Sequence, residues 1–195
     1  MTHFVLLRRS LATTRMQAIR SISATIFVVL VTLLALTGRV AAVEDIPPPF
    51  GFHWNDPATR VEQILLGAKA KILSKEHKEK RDVWTVEGLQ QPGLVRTLFT
   101  FTQEGFLVGV ELQYEYPAWS IERYNDRMGE IRRYFDAKFG TGKLVTRTRD
   151  NDSDVIQTLV GYQWMVGQTM LELFYFSAQK DPNVFRSITV TYKAI

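Results

Sequence analysis

Two neighbouring runs between Val95 and Tyr114 constrain this chain most. Val95, Thr97, Phe99 and Phe101 recur at every second position, and so do Phe106, Val108, Val110, Leu112 and Tyr114. A period of two is the mark of a strand with one apolar face. Gln103-Glu104-Gly105 between the runs is short enough for a hairpin turn, so the two strands are expected to pair antiparallel. Glu111, Gln113 and Glu115 then fall on the other side of the second strand, a face expected to be wet or used for contact.

The remainder of the chain alternates helix-type and strand-type patterns. Asp56 and Pro57 open a first helix, with Asp56 expected as its cap, Val61, Ile64 and Leu65 as its apolar face and Gly67 as its stop. Ala68 to Leu73 and Asp82 to Glu87 read as strands, with 75–81 as a charged loop between them. Ser120 is expected to cap a longer helix. Along it, Ile121, Tyr124, Met128, Ile131, Phe135 and Phe139 recur at three- and four-residue spacing, and Gly140 ends it. Strands are then expected at 143–148, 156–165, 169–176 and 185–192, with turns at 166–168 and 178–183.

The expected fold class is therefore α+β: a curved antiparallel sheet with two helices packed on one face. Helix-then-strands occurs twice, which suggests two halves, although no residue-level identity links them.

The first 42 residues read as an export signal. Arg8, Arg9, Arg15 and Arg20 lead, an apolar run spans Ala24 to Leu36, and Val40 and Ala42 sit where a signal peptidase reads small side chains. Cleavage after Ala42 is expected. The alternative is a tether to the inner membrane by residues 22–38, and the apolar run is shorter than the roughly 20 residues a spanning helix needs. Met16 is an alternative start, because 16–42 is a complete signal by itself. A proline-rich leader, 43–50, is expected to be extended and poorly packed, and 51–195 to form one globular domain. The expected location is the bacterial periplasm or exterior.

The presequence also accounts for the charge. The whole chain is +4, but five arginines (8, 9, 15, 20 and 39) precede residue 43 and every acidic residue follows it. That leaves 19 basic against 20 acidic residues in the mature part. A global electrostatic case for nucleic-acid binding disappears. The chain has no cysteine, which closes disulfides, thiolate metal sites and a lipoprotein anchor.

No catalytic constellation stands out. His53 has no partner at metal spacing, and His77 sits in a run of mixed charge. Glu111, Glu115 and Glu172 fall on strands and could converge as a carboxylate pair, but decoration of a solvent face is the plainer reading. Phe139-Gly140-Thr141-Gly142-Lys143 lacks the spacing of a phosphate loop and follows a helix. Asp150 to Asp154 lacks the glycine and distal glutamate of a calcium loop and reads as a flexible acidic loop. The remaining lead is aromatic. Tyr114, Tyr116 and Trp119 cluster around Pro117 and are the candidate binding residues.

Phe52-His53-Trp54-Asn55-Asp56-Pro57, followed by Val61 and Ile64-Leu65, resembles the opening of many small exported bacterial domains of unknown function. The hairpin at Gly105, the helix ending at Phe139-Gly140 and the strand bearing Trp164 fit the same pattern. These domains are similar in layout to the beta-lactamase inhibitor protein and to the small lipoprotein of the barrel-assembly machinery. The resemblance implies the fold and a general binding role, and no functional residues. The expected function is a non-catalytic interaction domain of the cell envelope, needing no cofactor, with an envelope protein as partner. The alternative is a carrier of a small apolar ligand, with a cavity lined by Phe99, Phe101, Val108 and Val110. An envelope-polymer hydrolase is a third reading.

Overall fold

The computed structural model describes residues 44–152 and 154–195. The expected signal, its cleavage site and the alternative start at Met16 lie outside the described residues. The fold is α+β. Two helices, α1 (Ala58–Gly67) and α2 (Ile121–Phe139), accompany eight strands. These are β1 (Lys71–Lys78), β2 (Arg81–Glu87), β3 (Leu94–Thr102), β4 (Leu107–Tyr114), β5 (Lys143–Asp152), β6 (Val155–Val166), β7 (Thr169–Lys180) and β8 (Asn183–Ala194). All eight form one antiparallel sheet that is not closed, in the order β1-β2-β3-β4-β8-β7-β6-β5.

The register lines up the core. Trp84, Phe99, Val110, Tyr192, Leu171 and Trp164 form one row across six strands. Val86, Thr97, Leu112, Val190, Leu173 and Tyr162 form the next. Because side chains alternate along a strand, both rows lie on one face of the sheet. All but Tyr192 are buried, and Tyr192 packs against the cluster. From α1, Val61 and Leu65 join this core, as do Tyr124, Met128 and Phe135 from α2.

Several local expectations change. Pro57, not Asp56, is the residue before the first helical turn, and no side chain caps α1. Proline holds the extended backbone that a cap needs. The Asp56 carboxylate turns back instead, accepting from the His53 N–H at 2.9 Å and pairing with Arg60 at 3.2 Å. The charged loop expected at 75–81 is mostly strand. β1 runs to Lys78 and β2 starts at Arg81, with Lys75 paired to Glu62 and Lys78 to Glu76. Charge here covers an edge strand rather than breaking it. The expected acidic loop at 150–154 shortens likewise, since β5 runs to Asp152.

The strict alternation in the hairpin also fails, at two register shifts. One lies between Leu94 and Arg96, the other where Thr100 opposes Gly109 and Phe101 opposes Leu107. A bulge adds one residue to one strand and resets its facing. Leu107 is therefore the inward side chain, while Phe106 and Val95 are exposed. Ser120 does cap α2, accepting from the Arg123 N–H at 3.4 Å.

The leader was expected to be poorly packed, and it is anchored at Ile46 and Pro48, whereas Glu44, Asp45, Pro47 and Phe50 stay exposed. Ile46 is 1% exposed. Its N–H donates to Thr169 Oγ1 at 2.8 Å, and its carbonyl accepts from Trp54 Nε1 at 2.7 Å. The Asp45 carboxylate accepts from the Gln168 N–H at 2.7 Å. The apolar Ile46 gains burial that the prolines around it do not prevent, since extended backbone is what X-Pro prefers.

Candidate binding cleft

A cleft of about 580 Å³ opens between α2 and the sheet. Its floor is the seam between β4 and β8, where Leu112, Ile188 and Val190 are buried. Its wall is α2. Arg127, Glu130, Ile131 and Tyr134 recur at three- and four-residue spacing, so they form one stripe along the helix. Gln90 and Gln91 of the β2–β3 loop, with Pro49 and Phe50 of the leader, form the rim.

The tyrosines around the cleft are anchored. Tyr114 donates from its hydroxyl to Gln91 Oε1 at 2.9 Å, and Tyr116 donates to the Pro92 carbonyl at 3.0 Å. Burial pushes the Tyr192 phenol up to about 12. Burial, with neighbouring phenols adding to it, raises Tyr114 well above the ordinary tyrosine range. Both are neutral donors at physiological pH. Arg127 Nη1 pairs with Glu130 Oε2 at 3.0 Å, so the charges on the rim balance locally.

Raised phenols have a consequence for stability. Their folded pKa exceeds the unfolded value of about 10. The folded state therefore keeps protons that the unfolded state loses, and stability must fall as pH rises through that window. Denaturant melts are expected to give a level midpoint up to roughly pH 9 and a decline between roughly 10 and 12.

Of the three expected binding residues, Tyr114 and Tyr116 line the cleft. Trp119 does not. Its ring stacks on Tyr116 at 3.7 Å and 5°, with the Arg123 guanidinium 4.5 Å away over the indole. The second face of the Tyr116–Trp119 pair is thus used inside the protein. Gly93 makes this arrangement possible. Its φ is +76°, and an added Cβ would lie 2.1 Å from the Tyr116 ring. Gly93→Ala is expected to displace that ring, break its bond to Pro92 and cost about 1–3 kcal/mol, checked by chemical denaturation.

The cavity expected at Phe99, Phe101, Val108 and Val110 is filled. Phe99 packs edge-on against Phe52 at 5.2 Å, and Phe101 lies 4.6 Å from Trp84. Phe99, Phe101 and Val110 are buried. The cleft residues that the sequence did not reveal come from Gln90-Gln91, α2 and β8. Ile131 and Phe135 stood in the sequence only as part of the apolar stripe of α2, and Tyr134 lies off that stripe and is 60% exposed.

The carboxylates do not form a pair across a cleft. Glu111 and Glu172 lie on the sheet face opposite the core, separated in the register by Thr191 of β8. Glu172 binds Lys193 at 2.7 Å, and Glu111 accepts from Gln113 at 2.8 Å. The His53 side chain is 73% exposed, its Nδ1 3.9 Å from Asp56. Among the described residues no three His, Cys, Asp or Glu side chains gather as a metal site. Among them, too, no helix is long and apolar enough to cross a membrane.

Comparison with family models, with characterised proteins and with solved structures returned no match to this chain.

Proposed function

We propose that this is a non-catalytic binding domain of the bacterial envelope, and that the cleft between α2 and the sheet takes a small amphipathic ligand. The observation that carries the reading is the cleft itself. Its volume of about 580 Å³ suits a molecule of drug or short-lipid size. An apolar body would lie on Leu112, Ile131, Ile188 and Val190. Its polar end would meet Gln90, Gln91 and Arg127 at the rim. The Tyr192 phenol, neutral at physiological pH, adds a polar group to the lining. Phe50 supplies a second support. This bulky residue holds φ +62° at the cleft rim, a conformation that costs on the order of 1–2 kcal/mol and clusters at binding sites.

We further read both helices as covering the same face of the sheet, and the chain as two helix-plus-four-strand halves. Phe52 ahead of α1 packs on Phe99, and Phe135 of α2 packs on Trp164 at 5.4 Å. Both partners belong to one row of the sheet. The strand order is symmetric about the β4–β8 seam. This layout is the one the resemblance to exported binding domains leads one to expect. Export rests on the basic-then-apolar segment before Val43. An envelope protein as partner has less support than a small ligand, because Trp119 is engaged by Tyr116 and Arg123.

The test is fluorescence titration with anilinonaphthalenesulfonate, an amphipathic anion. Saturable binding at one site is expected. Ile131→Trp, which fills the cleft from a half-buried helix position, is expected to weaken it at least about tenfold. Equal binding by both proteins would place the probe elsewhere and contradict the reading.

A further inference from the structure

A second cavity, of about 200 Å³, lies on the other flank of α2. Asn125, Met128, Gly129 and Arg132 line it from the helix. These residues sit about half a turn round from the cleft stripe at 127, 130, 131 and 134, with the core-facing Tyr124, Met128 and Phe135 between the two. The sheet supplies Arg147, Tyr162 and Tyr175.

Tyr175 is the informative residue. It is 3% exposed, and its hydroxyl has no hydrogen-bond partner. A buried phenol without a partner is costly, and native proteins rarely leave one. Two guanidiniums share its cavity. Arg132 lies 4.3 Å over the Tyr162 ring and donates from Nη1 to the Tyr162 hydroxyl at 3.1 Å. The Arg132 Nε is buried without a hydrogen bond, although Asp136 Oδ2 is 3.3 Å away. The other oxygen of Asp136 is taken by the Gly142 N–H at 2.8 Å and Trp164 Nε1 at 3.1 Å. Arg147 brings a second positive charge from β5. Asp136 pairs with Arg132 alone, while Arg147 lines the cavity beside an unused phenol donor.

We infer that this cavity binds a small oxyanion of phosphate type. An oxyanion accepts from several donors at once. It would take the phenol proton of Tyr175, the amide of Asn125 and a two-pronged contact from arginine. The inference does not depend on the cleft, which shares no lining residue with this cavity.

The experiment is a calorimetric titration of the whole protein with inorganic phosphate, against chloride at equal ionic strength. Two variants accompany it. Tyr175→Phe removes only the unpartnered hydroxyl, and Arg147→Gln changes an exposed side chain, so both are expected to fold. The site predicts saturable phosphate binding, weakened about tenfold or more in each variant. Thermal stability of Tyr175→Phe without phosphate should be unchanged or higher. No phosphate heat beyond that of chloride, or native affinity in either variant, overturns the assignment. Phenyl phosphate distinguishes the sources. Tighter binding than inorganic phosphate marks the oxyanion as the head of a larger molecule, and weaker binding marks a free ion.

Discussion

Trp164→Ala is expected to destabilise the domain by about 3–5 kcal/mol. The side chain is 2% exposed and packs edge-on against Phe135. Its indole N–H donates to the Gly140 carbonyl at 2.9 Å and to Asp136 Oδ1 at 3.1 Å. It therefore ties the end of α2 to β6. Truncation leaves a cavity and two acceptors short of a donor. Gly142 shows how closely the indole is fitted, since an added Cβ there would lie 2.4 Å from it. Domains of this size have roughly 5–15 kcal/mol in hand, so the variant should melt on the order of 10 °C lower. Trp164→Phe keeps most of the volume and loses the donor, and should cost about 1–2 kcal/mol. Thermal melts of the two variants separate packing from hydrogen bonding. Equal effects would mean that the hydrogen bonds, not the packing, hold this joint.

The second large effect is expected in the leader. Ile46→Ala should cost about 2–4 kcal/mol, because a fully buried side chain is replaced by a void. Deleting 44–50 should cost more. That deletion removes Ile46 and leaves Thr169 Oγ1 and Trp54 Nε1 without the leader groups they bond. It also takes Pro49 and Phe50 from the rim of the cleft. The deletion therefore predicts two losses in one protein, in stability and in probe binding. Glu44→Ala is the control, because Glu44 is exposed. A deletion that melts like the native protein would return the leader to the role of a loose tether.

What the sequence disclosed follows from which interactions are local. The α2 stripe from Tyr124 to Phe139 and its Ser120 cap were legible, because helical spacing and capping depend on neighbours three and four residues away, whereas Ile121, expected on that stripe, is exposed in the first turn. The strands of the second half were legible in position, although β5, β7 and β8 run further than expected. Features that depend on distant partners were not. Nothing near Ile46 announces that Thr169 will bind it. The bulge that turns Leu107 inward arises from pairing with β3, so alternation alone put Phe106 and Val108 in its place. The cleft was half legible. Tyr114 and Tyr116 stood out as aromatics, whereas Gln90, Gln91, Ile131 and Tyr192 become neighbours only when β4 meets β8 and α2 packs on the adjoining strands β6 and β7. Trp119 stood out in the same way, and it stacks on Tyr116 outside the cleft lining.

The proposed function stands or falls with a small amphipathic molecule in the cleft. Native mass spectrometry of the protein purified from the cells that produce it, beside the Ile131→Trp variant, decides the matter. A discrete small-molecule adduct is expected on the native protein, reduced or absent on the variant. Bare polypeptide mass for both proteins, with no adduct formed after incubation with a whole-envelope extract, would contradict it.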